Sequence, residues 1–92
     1  MELLTEEEIS SKLGTVPAWE RSGASITTTT SRADFRDALL YVGAVAYLAE
    51  TANHHPDITI QWNKVTLTLS THSAGGLTAA DFALAAKISE LA

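Results

Sequence analysis

Histidine occurs three times in this 92-residue chain, at His54, His55 and His72, and two of the three stand together in Glu50-Thr51-Ala52-Asn53-His54-His55-Pro56-Asp57. An imidazole with an unperturbed pKa of roughly 6.5 gives or takes a proton near neutrality. Pro56 disfavours helical geometry at His55, so a helix entering this stretch should end at about His54 and send the two rings away in different, fixed directions. His72 follows the next hairpin, and a tight hairpin returns the chain to where it began, so the three rings should converge at one rim of a sheet. Glu50, one turn before His54, and Asp81, near the start of the last helix pattern, are carboxylates able to orient the rings. With the nearby glycine loop and helix N-terminus, such a cluster suits proton transfer to and from a polar substrate. Zinc is a competing use of imidazole and carboxylate. However, neighbouring histidines rarely chelate one ion together, and the chain has no H-x-x-x-H or C-x-x-C spacing, so no metal site is expected. A nucleophilic triad lacks its G-x-S-x-G elbow.

These side chains must be positioned by a small scaffold. A domain of this length hides only about 60% of its unfolded surface, and with no cysteine it has neither disulfides nor thiolate metal sites to compensate. Oligomerisation is the remaining common remedy. The net charge of -5 and six scattered Lys and Arg argue against a nucleic-acid groove. No uncharged apolar run approaches the ~20 residues that span a bilayer, and the N-terminal stretch has no signal-like pattern. A single soluble domain over 1–92, located in the cytoplasm, is expected.

Along the chain, Thr5-Glu6-Glu7-Glu8 has capping-box spacing before a short helix that Gly14 stops. Trp19 should begin a strand, Ser22-Gly23 a turn, and Ala24 to Thr30 a β-branched strand. Ser31-Arg32-Ala33-Asp34 repeats the capping spacing, and the helix it opens, 32–54, carries no charge between Asp37 and Glu50. A helix apolar all round is normally covered on two sides. Its own sheet can cover only one, so the other should meet a second subunit, with Gly43 and Ala44 permitting close approach. Ile58, Ile60 and Trp62 alternate with polar residues, as do Val65, Leu67 and Leu69. With Asn63-Lys64 as the turn, Trp62 should face Val65, Ile60 face Leu67 and Ile58 face Leu69. Thr78-Ala79-Ala80-Asp81 caps a final helix. The order is α-β-β-α-β-β-α, predicting an α+β fold: a four-stranded antiparallel sheet with helices packed on one face.

Glu50 to Asp57, Trp62-Asn63-Lys64-Val65, Leu69-Ser70-Thr71-His72 and Gly76-Leu77-Thr78 with Asp81 together resemble the pterin-4a-carbinolamine dehydratase family, over nearly the whole chain. The resemblance implies a hydro-lyase that dehydrates 4a-hydroxytetrahydropterin to quinonoid dihydropterin, the tetrahydrobiopterin recycling step that follows aromatic amino-acid hydroxylation. It implies no cofactor, because ring-nitrogen electrons expel the protonated C4a hydroxyl and the N5 proton is then lost. By position, His54 and His72 match the acid and base histidines and His55 the one that orients the pterin; Glu50, Pro56, Trp62, Thr71 and Asp81 match residues lining or bracing the pocket. The family also implies a homodimer or homotetramer, joined through a sheet edge and through the long helix 32–54.

Two departures stand out. Thr27 to Thr30 occupy a strand where family members often carry aromatics, and Ala80 stands where a basic residue often precedes the final aspartate. The alternative reading is a non-catalytic binding or assembly protein on the same scaffold, of the transcription-partner or Rubisco assembly factor type. A pure scaffold, however, would not need all three histidines.

Overall fold

The structure, a computed structural model, describes residues 2–91. Four antiparallel strands, β1 (Glu20–Ser22), β2 (Ser25–Ser31), β3 (Asp57–Gln61) and β4 (Lys64–Leu69), form one sheet in the order β1-β2-β4-β3. Three helices, α1 (Glu6–Leu13), α2 (Phe35–Ala52) and α3 (Ala79–Ser89), complete the order α-β-β-α-β-β-α, with one 3₁₀ turn at His72–Ala74. Strand alternation separates the faces of the sheet. Ile26, Val65, Leu67 and Leu69 are fully buried, in one core with Ile9 of α1, Ala38, Tyr41, Val45 and Ala49 of α2, and Phe82, Leu84, Ala85 and Ile88 of α3. The opposite face is a threonine ladder, in which Thr27 and Thr68 lie 3.3 Å apart and Thr29 and Thr66 3.0 Å apart, hydroxyl to hydroxyl.

The threonine run is therefore a half-exposed strand, with two exceptions to its solvated character. Thr28 and Thr30 take the same parity as Ile26 and turn toward the helices. Thr28 satisfies its hydroxyl by donating to the Ala18 carbonyl, at 2.8 Å. Being smaller than apolar core residues, the two threonines leave a cavity of about 420 Å³ bordered by Trp19, Arg32, Tyr41 and Ile88.

Several local boundaries differ from those the sequence suggests. The cap of α2 is Asp34 itself, three residues after Ser31, which ends β2. The Asp34 side chain accepts from the Asp37 N–H at 2.8 Å, and Asp37 accepts from Ala33 N at 2.9 Å and pairs with Arg32 at 3.1 Å. The helix ends at Ala52 rather than His54, because Asn53 enters the left-handed region (φ 51) and its N–H closes on the Ala49 and Glu50 carbonyls. Asparagine tolerates that conformation, so the stop precedes any influence of Pro56. Trp19 is buried just before β1, which begins at Glu20. The first hairpin turns at Gly23 and Ala24, since Ser22 pairs with Ser25 and Gly23 has φ 60.

The second hairpin turns one residue early, at Trp62-Asn63: Gln61 pairs with Lys64, Ile60 with Val65 and Ile58 with Leu67. Asn63 decides the matter by bonding across to the connection after β2, its side-chain amide donating to the Arg32 carbonyl (2.9 Å) and its carbonyl accepting from Arg32 N–H (2.7 Å). Moving the turn by one residue shifts the register by two, so the apolar residues keep the face expected of them. Trp62 is left in the turn with φ 56.

Candidate active site

The left-handed Asn53 re-aims the chain as it leaves α2, and the His54 N–H is retained by the Ala49 carbonyl at 3.1 Å. From there the His54 ring reaches the first turn of α3, where its Nε2 lies 2.5 Å from Asp81 Oδ1. Asp81 is the third residue of that helix, and its place there comes from a capping box with Thr78. Its side chain is fully buried, and its second oxygen accepts from the Thr71 hydroxyl (2.8 Å) and the Thr78 N–H (2.9 Å). The Thr78 hydroxyl lies 2.8 Å from that of Thr71. Since Thr71 and Thr78 both donate to Asp81, the carboxylate acts as acceptor, and the consistent assignment puts a proton on His54 Nε2. Among the described residues Nδ1 has no hydrogen-bond partner.

Thr71 also fixes His72. The inward parity of Val65, Leu67 and Leu69 continues to Thr71, which is buried and forms an antiparallel bridge with Gly76. The bridge pinches the base of a small loop, and His72 begins the 3₁₀ turn within it, closed by Gly75 in the left-handed region at φ 79. His72 is exposed and is covalently joined to the residue that holds Asp81. His54 and His72 are thus tied to one buried carboxylate, one by a direct hydrogen bond and the other through its neighbour Thr71.

His55 takes a separate direction. Its Nε2 lies 2.5 Å from Glu50 Oε2 on the outer side of α2, and both side chains are largely exposed. Both carboxylates singled out in the sequence therefore carry an imidazole, but a different one each. Pro56 then leads into edge strand β3, and Trp62 lies at that strand's other end, about 16 Å from Asp57 at ~3.3 Å per residue. A cavity of about 220 Å³ opens beside His54 against Ala52, Ala80, Ala83, Leu84 and Lys87. The small side chains of Ala80 and Ala83 create this space, and Lys87, two turns beyond Ala80 on α3, supplies the cation on its wall. Sequence reasoning missed Lys87 and the contribution of Thr78; only the i, i+7 spacing from Ala80 hinted at the former. Among the described residues, no three His, Cys, Asp or Glu side chains gather as metal ligands.

The family profile described as pterin 4 alpha carbinolamine dehydratase matches residues 2–91. A protein of Roseiflexus castenholzii, provisionally named a pterin-4-alpha-carbinolamine dehydratase, is 53% identical over 97% of this chain and 96% of its own. A Thermomicrobium roseum protein of the same provisional name is 50% identical over 100% and 99%. A Brucella melitensis crystal structure described as a transcriptional coactivator/pterin dehydratase superposes with a TM-score of 0.88 at 33% identity, covering 92% of this chain and 93% of the other. A pterin dehydratase-like protein described as a RuBisCO assembly factor in the alpha-carboxysome shares the fold (TM-score 0.62, 21% identity, 77% of this chain and 82% of the other). Matched from end to end by that profile and by relatives at half identity, the chain belongs to the pterin 4 alpha carbinolamine dehydratase family.

Proposed function

We propose that this protein dehydrates a 4a-hydroxytetrahydropterin to the quinonoid dihydropterin, by histidine acid-base catalysis without a cofactor. The observation carrying the proposal is the His54 ring hydrogen-bonded to the buried Asp81 carboxylate, which Thr71, the residue before His72, also braces. Dehydration needs one proton delivered to the C4a hydroxyl as it leaves as water, while the N5 lone pair forms the C4a–N5 double bond. It then needs one proton removed from N5. With Nε2 engaged by Asp81, His54 meets substrate through Nδ1, and His72 serves the complementary transfer from its exposed turn. His55, held by Glu50, orients the pterin, and Pro56 fixes its backbone. The reaction serves tetrahydrobiopterin recycling in the cytoplasm.

The outward side of α2 supports a homo-oligomer in this reading. Leu39, Leu40 and Tyr47 are 46%, 63% and 72% exposed there, which an isolated chain would leave in water. Mass measurement in solution at micromolar concentration is expected to give a dimer or tetramer, and a monomer would refute that part. For the activity, the accelerated disappearance of a carbinolamine substrate is compared with His54→Ala and His72→Ala. Losses of about 10²- to 10⁴-fold are expected. A wild-type rate no greater than that of both variants would refute catalysis and favour a binding role on the same scaffold.

A further inference from the structure

Trp62 is the least comfortable residue in the fold. It is 68% exposed and holds a left-handed backbone conformation at φ 56, which glycine or asparagine adopts far more readily than a bulky residue. Such strain in an exposed aromatic points to a use, and among the described residues its indole N–H has no hydrogen-bond partner. The adjacent strand suggests where the use lies. β3 is an open sheet edge containing neither proline nor lysine, with Ile58 37% exposed, whereas the opposite edge, β1, has three residues of which two are charged.

β3 is complementary to a second copy of itself. Antiparallel pairing about a two-fold axis at Thr59 sets Ile58 against Ile60, Thr59 against Thr59 and Asp57 against Gln61, so apolar meets apolar, polar meets polar and no like charges face each other. A register one residue to either side would set isoleucine against threonine. A two-residue shift one way would oppose Ile60 to Pro56, which has no N–H to give. The Thr59-centred register carries the Trp62 turn of each copy to Pro56 of the other, one residue from His55 and two from His54.

We propose that the active site is shared between two copies, the histidines coming from one chain and Trp62 from the other as an aromatic wall for the flat pterin ring. Trp62 then contributes nothing to the site of its own chain. This rests on the dehydratase reading for the ligand, but not for the pairing.

Two experiments separate the ideas. Thr59→Cys introduces the chain's single cysteine, and two such residues directly opposite lie about 4.5–5.5 Å apart at Cα, within disulfide range. Mild oxidation is expected to give a covalent dimer, whereas Gln61→Cys, whose two copies stand four residues apart or about 13 Å, gives little. In the second experiment, His54→Ala and Trp62→Asn chains with different tags are co-expressed and the mixed dimers assayed below KM. Asparagine suits the turn conformation, so Trp62→Asn alone is expected to fold and to raise KM about tenfold with little change in kcat. Each mixed dimer carries one intact site, so a random mixture should run about fivefold faster than the mean of the separate variants. Absence of the Thr59→Cys dimer, an unchanged KM in Trp62→Asn, or mixed dimers without the gain would overturn the shared site. A Thr59→Cys chain that cross-links, while the wild type fails to speed dehydration, would refute the functional reading alone.

Discussion

Replacing Asp81 separates what the carboxylate does for the fold from what it does for chemistry. In Asp81→Ala, the Thr78 N–H and the Thr71 hydroxyl lose an acceptor at a position with no access to water. One to two stranded donors at about 1–3 kcal/mol each give a loss of roughly 2–4 kcal/mol. Against a typical total of about 5–15 kcal/mol this is severe, and for a domain of this size it lowers Tm by roughly 10–30 °C. Asp81→Asn keeps the volume and an oxygen for Thr71 and Thr78, so its stability cost should be only about 1 kcal/mol, the difference between a charge-assisted and a neutral hydrogen bond. Toward His54, however, it now presents an amide N–H. Nε2 must accept, the proton moves to Nδ1, and the ring nitrogen offered to substrate becomes a donor where it had been an acceptor. The expected result is a folded protein with dehydration slowed by about 10²- to 10⁴-fold. Nitrogen-15 NMR of labelled histidine should show Nε2 protonated in the wild type and Nδ1 in Asp81→Asn. A variant retaining at least half the wild-type rate, or a wild-type spectrum with the proton on Nδ1, would refute the assignment of His54.

At the end of α2, Asn53→Ala should cost about 1 kcal/mol in denaturant unfolding because alanine is strained at φ 51, whereas Asn53→Gly should be close to neutral. The Ala33 N–H and then the Arg32 guanidinium hold the Asp37 carboxyl below its ordinary value of 3.8. The unfolded chain therefore takes up this proton first. The stabilisation is complete above that value and lost as pH falls through the lower folded one, so acid titration of Asp37→Asn should show a shallower loss of stability than the wild type. Since the proposed chemistry uses only side chains, prolonged treatment with a strong chelator should leave the rate unchanged, and a loss restored by added zinc would contradict it.

Parity and the histidine motif were legible in the sequence because both are local patterns. Ile58, Ile60, Val65, Leu67 and Leu69 announce a hairpin with one buried face, and that conclusion survives a misplaced turn because the error amounts to two residues of register. The turn itself was not legible. No local preference puts tryptophan in a left-handed conformation; the choice is made by Asn63 bonding to Arg32, 31 residues away. Asn53 did carry a readable signal, since asparagine is common just past a helix end, and the more conspicuous Pro56 masked it. The carboxylates at Glu50 and Asp81 could be suspected, but their division between His55 and His54 follows from the direction the chain takes after Asn53. Thr78 is an ordinary cap by sequence, and its second duty beside Thr71 exists only once the segment following β4 meets the start of α3.

The central pairing of β2 with β4 also bears on how the molecule assembles. Each hairpin closes through short turns and can form early, but the seam between them unites residues such as Thr27 and Thr68, 41 positions apart in sequence. All of α2 lies in the intervening segment, whose two ends are clasped together by Arg32 and Asn63. Bringing the two hairpins together, with the helix shortening the span that must be closed, is accordingly expected to be the slow event. Substitutions along that seam should retard refolding, whereas changes confined to the β1 ribbon should chiefly hasten unfolding.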